Sequence, residues 1–150
     1  HPGLFSDPAL GETQILAQGA TFESLTAIPT ADGGSLDMSR YPTPPGHEDL
    51  VMMANDPTSG RVGWSAAVFD GFVWYSIKDI ATFPATLLWI SNGGRTQAPW
   101  SSRHVGRLGI EDVCSYFAVG LEASRADLLR GQSIPTTREM LYRGGKDKNT

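Results

Sequence analysis

The hydrophobic and polar positions of this chain are spaced for short strands. Two β-rich runs, Val62 to Phe69 and Phe72 to Ile77, flank the dipeptide Asp70-Gly71, and this is the strongest hairpin signal in the sequence. Leu50 to Ala54 reads as a further strand, and Asn55-Asp56-Pro57-Thr58-Ser59-Gly60 after it has the chemistry of a turn. Ala85 to Ile90 predicts another strand, closed by Ser91-Asn92-Gly93-Gly94, and Leu108 to Glu111 predicts the last. Near the start, Ile15 and Ala17 alternate with polar neighbours as in a half-buried strand. Between Pro29 and His47 the chain is rich in Gly, Pro, Asp and Ser and predicts a long loop of the kind that often carries function. Only Glu122 to Arg130, stopped by Gly131, has a helical pattern, and no internal repeat or heptad is present. The expected fold is all-β, an antiparallel β-sandwich, in a single domain over residues 1–150.

Composition sharpens this picture at a few points. With 17 glycines and 10 prolines, turns are plentiful, and 40% hydrophobic against 19% charged residues suits a globular chain. A net charge of −4 leaves no footprint for nucleic acid, and the basic residues Arg138, Arg143, Lys146 and Lys148 read as a solvated terminus. The single cysteine, Cys114, excludes an intrachain disulfide and a Cys-rich metal site, and its apolar neighbours predict a small buried hydrophobe. No apolar run is long enough to span a bilayer and no signal peptide is visible, so the expected location is the cytoplasm, without membrane contact. The chain opens on His1-Pro2-Gly3 without an initiator Met, which suggests a portion of something longer.

Glu111 is the first candidate for chemistry. It sits among apolar neighbours in Leu108-Gly109-Ile110-Glu111, where desolvation would raise its pKa toward that of a general base; the plainer reading is an outward-facing strand residue. His1, His47 and His104 are too scattered for a metal motif, and an ordinary hydrogen-bonded or surface histidine is the better reading of His104. His47-Glu48-Asp49 stands at the edge of a strand and reads equally as a solvated strand start. Among Trp64, Trp74, Trp89 and Trp100, placement in strands predicts core for most; Trp100, in a polar loop with Arg103 and His104, is the one suited to stack on a sugar ring. Neither a phosphate loop nor a Gly-x-Ser-x-Gly elbow occurs.

Taken in order, His1-Pro2-x-x-Phe5, Gly46-His47-Glu48-Asp49, Asn55-Asp56-Pro57-Thr58-Ser59-Gly60-Arg61 and Leu108-Gly109-Ile110-Glu111 resemble the C-terminal half of the aldose 1-epimerase (galactose mutarotase-like) family. The resemblance implies part of a two-sheet supersandwich with a sugar cleft on its concave face. It also implies anomer interconversion of a hexose or related sugar by ring opening, with no cofactor and no metal. Carried over by position, Glu111 would be the base and His1 the acid, with Asp49, or Glu48 one register away, binding sugar hydroxyls beside Trp100 and Arg103. Two departures stand out: Glu48-Asp49 replaces the usual Asp-His pair, and Asp-Val-Cys-Ser-Tyr-Phe follows Glu111 in place of a Thr/Gln-containing run. A lone half would leave sheet edges unpaired, so pairing with an N-terminal half or as a homo-oligomer is expected. The alternatives are a non-catalytic carbohydrate-binding β-sandwich and a cupin-like metal sandwich in which His47 or His104 converges with an acid.

Overall fold

A computed structural model of the chain describes residues 2–3, 8–116, 120–126 and 128. The expectations for His1 and for the basic residues from Arg138 onward lie outside these. Among the described residues the fold is all-β, with one short α-helix and two single-turn 3-10 helices, Pro8–Leu10 and Pro57–Ser59. The strands are β1 (Pro2–Gly3), β2 (Ile28–Pro29), β3 (Ser35–Leu36), β4 (His47–Ala54), β5 (Val62–Phe69), β6 (Phe72–Asp79), β7 (Ala85–Asn92) and β8 (Arg107–Val113), followed by helix α1 (Gly120–Ala126). They form a four-stranded sheet in the order β1-β4-β7-β8 and two two-stranded sheets, β2-β3 and β5-β6. β1 pairs antiparallel with β4, β2 with β3, and β5 with β6. No helix among the described residues is long and apolar enough to cross a membrane.

The described residues divide into two compact units, one of those within 1–52 and 87–111, the other of those within 53–86 and 112–128. In the first unit the core is Leu16, Ile28, Leu50, Val51, Leu87 and Ile90, each at most 2% exposed. Interior strands of a sheet are covered on both faces and lose the simple in-out alternation of an edge or surface strand. β4 and β7 behave this way: from His47 through Met52, and at every position of β7 except Trp89, the side chains are buried. The expected long loop from Pro29 to His47 contains the short β2-β3 hairpin, and the strand expected around Ile15 and Ala17 is reduced to one bridge between Leu16 and Thr30.

In the second unit β5 and β6 run in register from Val62 opposite Asp79 to Phe69 opposite Phe72, joined by Asp70 and Gly71 as expected. Gly71 takes φ 82°, a conformation that a side chain disfavours. Opposed residues in such a ladder share a face, so Gly63, Ser65, Ser76 and Lys78 lie together. There Lys78 Nζ sits 2.8 Å from Asp112 Oδ1 and donates to the Ala85 carbonyl at 3.0 Å and to Thr86 Oγ1. Ser76 Oγ donates to Asp112 Oδ2 at 2.5 Å. Burial opposes the charge on Asp112, but the bonds from Lys78 and Ser76 outweigh it and hold the carboxyl below its ordinary range. A Cβ on Gly63 would lie 2.7 Å from Ile80 Cγ2 and 2.9 Å from Asn55 Oδ1, so a side chain there would push these neighbours aside.

Three expectations are corrected here. Trp64 and Trp74, expected in the core, are 72% and 40% exposed: Trp64 lies on the uncovered outer face, and Trp74, on the Lys78 face, sits near the Asp70-Gly71 end of the ribbon, where Phe69 and Phe72 of that face are exposed as well. Cys114, expected buried, is half-exposed just past the end of β8.

Candidate functional site

The start of β4 carries three consecutive polar residues, His47, Glu48 and Asp49, all within 1% of complete burial. Alternate residues of a strand face opposite ways, and here the two sides bond differently. On one side His47 Nδ1 donates to Asp49 Oδ2 at 2.6 Å, while Nε2 of the same ring shares a hydrogen bond of 2.8 Å with Thr43 Oγ1. Asp49 also accepts from the Leu16 and Ile15 backbone N–H groups at 3.1 and 3.3 Å. Asn92 Nδ2 donates to the Thr43 carbonyl at 2.6 Å, fixing the loop that carries the hydroxyl. The order hydroxyl, imidazole, carboxylate is that of a hydrolytic triad. Yet Thr43 is 5% exposed and Asp49 fully enclosed, so the relay ties β4 to the chain around Leu16 and presents nothing to a ligand.

On the other side, Ser91 Oγ of β7 donates to Glu48 Oε1 at 2.8 Å. The same hydroxyl lies 2.5 Å from His104 Nδ1. A hydroxyl has one proton, so with that proton on Glu48 it is the His104 Nδ1–H that donates to Ser91. This leaves Nε2 as the ring nitrogen open to chemistry. Glu48 Oε2 is 3.7 Å from Arg95 Nε, beyond hydrogen-bonding reach, and makes no hydrogen bond among the described residues. Burial pushes the Glu48 carboxyl above its ordinary range, and the Ser91 bond, the charges of Arg95 and His104 and the Gly94 backbone N–H offset only part of that. Tyr41, which donates to the Arg107 carbonyl at 2.6 Å, is pushed up to about 12 by burial and by the charge of Glu48.

Gly94 makes this approach possible. A Cβ there would lie 2.5 Å from the Glu48 nitrogen and 2.6 Å from His47 Cα, so the segment after β7 can lie against the β4 backbone only without a side chain. The next residue, Arg95, reaches between two carboxylates, 3.2 Å from Glu12 Oε1 and 3.7 Å from Glu48 Oε2. Its guanidinium lies over the rings of Trp89 and Trp100, at 5.4 and 5.1 Å from their centroids. The His104 ring sits 5.8 Å from Trp89 and 5.2 Å from Trp100. Two indoles therefore flank both a cation and an imidazole.

Trp100, 41% exposed, is held by a tight turn in which Ser101 and Ser102 both take the left-handed conformation, at φ 47° and 56°. Such backbone is uncommon for residues other than Gly, Asn and Asp and tends to gather at binding sites. Arg103 closes the turn: its guanidinium donates to the Pro99 carbonyl at 2.9 Å and the Trp100 carbonyl at 3.4 Å. Glu111 lies half-buried on β8. A Cβ on Gly109 would be 3.1 Å from Glu111 Oε1 and 3.3 Å from Trp89 Cβ, which puts this carboxylate on the Trp89 side of the sheet.

Of the residues singled out in the sequence, Glu48, Trp100 and Glu111 thus share a neighbourhood with Trp89. Asp49 does not join them: it faces the other way with both oxygens occupied, which corrects the expectation that it meets sugar hydroxyls. Arg103 is spent on its own turn, and His1 lies outside the described residues. The sequence pattern assigns no role to Ser91 or Arg95, and it predicts a core residue at Trp89 and an ordinary histidine at His104. Among the described residues no group of three His, Cys, Asp or Glu side chains is placed to hold a metal ion. Comparison with protein-family models, curated proteins and solved structures finds no match.

Proposed function

We propose that this chain is an aldose 1-epimerase-like protein of the β-sandwich type, which binds a hexose or related sugar and interconverts its anomers by acid-base ring opening. The observation that carries the reading is the shared face of Glu111, Trp89, His104, Arg95 and Trp100. An indole offers an apolar platform to the C–H face of a pyranose, and the flanking cation, imidazole and carboxylate offer partners to its hydroxyls. In this reading Glu111 takes the proton of the anomeric hydroxyl while an acid protonates the ring oxygen. The C1–O5 bond breaks, the aldehyde forms and rotates about C1–C2, and the reverse steps close the ring on either side. The family resemblance gives the acid role to His1. His104 is the histidine that lies against Trp89 and Trp100, and with both nitrogens protonated its Nε2–H supplies such an acid.

Polarimetry on freshly dissolved α-glucose and α-galactose tests this. The native chain accelerates the drift in rotation above the buffer rate, and Glu111→Gln lowers that acceleration about 100-fold or more, as for loss of a general base. An unaccelerated drift with both sugars overturns the catalytic reading for them. The second reading, a non-catalytic carbohydrate-binding sandwich, draws on the exposure of Trp100 beside Arg95. It predicts sugar-dependent quenching of tryptophan emission that Trp100→Ala abolishes and Glu111→Gln leaves intact.

A further inference from the structure

The β5-β6 hairpin has a second face, opposite Lys78 and Ser76, that plays no part in the site above. In the observed register Val62, Trp64, Ala66 and Val68 of β5 and Val73, Tyr75 and Ile77 of β6 all project to that side. Every one of them is exposed: Trp64 by 72%, Val68 by 80%, Tyr75 and Ile77 by 67% each. Among the described residues of the ribbon, the only charge on this face is Asp79, at its far end, and it is engaged by Arg61 at 2.7 Å. A chain in water rarely leaves so continuous an apolar surface uncovered.

We propose that this face is the contact between two copies of the chain, packed hairpin against hairpin about a two-fold axis. Area argues for a second copy. A whole aromatic side chain presents about 150–250 Å² and Val or Ile less, so the exposed parts of these residues come to roughly 700 Å². That exceeds the usual largest patch of a monomer and approaches the ~800 Å² per partner of a standard protein interface. Charge argues the same way. A two-fold contact lays the same patch against itself, and a face whose one carboxylate is already paired sets little like charge against like despite the net −4 of the chain. Shape adds to it: Ala66 sits among the bulkier Trp64, Val68 and Tyr75, leaving a dip that a ring from the other copy fills. The contact is independent of the sugar reading.

Sedimentation velocity across micromolar to high-micromolar concentrations tests the proposal. The native chain sediments as a species of twice its 16.1 kDa mass, in a concentration-dependent equilibrium. Val68→Lys and Trp64→Lys, whose side chains lie mostly in water in the single chain, shift it to the monomer with unchanged circular dichroism. If Trp64→Lys fails to fold, Val68→Lys decides together with the tryptophan emission of the native chain, which moves to shorter wavelength as concentration rises. A native chain that stays monomeric at the highest concentration overturns the proposal. So does a dimer that survives Val68→Lys, since that dimer would be joined elsewhere, as by edge-to-edge strand pairing.

Discussion

Glu48 and Asp49 are adjacent carboxylates on one strand, both wholly enclosed, and their surroundings treat them in opposite ways. Asp49 accepts from an imidazole and from two backbone N–H groups. Glu48 has the Ser91 hydroxyl on one oxygen, the Gly94 backbone N–H as a further, weaker donor, and a guanidinium 3.7 Å from Oε2. Equal burial gives unequal outcomes because what stabilises a buried carboxylate is the number of donors that meet it. The Asp49 side is complete and serves as scaffold. The Glu48 side retains an unmet demand for a proton or a donor, and it faces the indoles, the cation and the second carboxylate of the candidate site.

The contrast can be broken most forcefully at Asp49. Asp49→Ala leaves the Leu16 and Ile15 N–H groups and the His47 ring without their acceptor, and is expected to cost about 3 kcal/mol or more in urea unfolding. A midpoint equal to the native one would mean that this side is no scaffold. Gly94→Ala comes next. It forces a methyl group onto the β4 backbone between the two sides and is expected to cost about 2 kcal/mol in the same measurement.

Glu48→Gln has the smallest effect and the most telling one, because it appears in the dependence on pH. Folding raises the Glu48 pKa above its ordinary 4.5, so the folded chain holds this proton more tightly than the unfolded chain does. The stability gained is complete below 4.5 and is lost as pH rises through the raised value. Urea unfolding of both chains at a series of pH values checks this. Native stability should fall relative to Glu48→Gln as pH climbs from 4.5 toward neutrality, by less than either loss above. A parallel pair of curves would mean that Glu48 is as well satisfied as Asp49.

Much of the strand pattern is legible in the sequence because it is local. The Asp70-Gly71 hairpin and the strands at Leu50, Ala85 and Leu108 are found where periodicity and turn chemistry put them. What escaped depends on residues far away. Ser91 reads as the start of a turn, yet β7 runs on through Asn92 because Glu48, a residue of β4, lies ready to accept its hydroxyl. Arg95 and His104 sit in a polar stretch, and only the folded chain brings them to Trp89 and Trp100. Trp64 and Trp74 misled for a different reason: Phe72-Val73-Trp74-Tyr75 is apolar at every position, and alternation cannot tell which side of such a ribbon is covered. The choice between Glu48 and Asp49 turned on a one-residue register, which moves a side chain from one face of a strand to the other.

The Glu48–Ser91 bond joins residues 43 positions apart and the Asn92–Thr43 bond residues 49 apart, whereas the β5-β6 hairpin closes through two residues. Loop closure over long separations is entropically costly and slow, while hairpins form within microseconds. During synthesis, β5 and β6 are made before Ser91 and Arg95 exist, so the ribbon can zip while Glu48 still waits for its partners. The apolar ribbon is therefore among the earliest ordered parts of the nascent chain, and the chemistry-bearing face among the last.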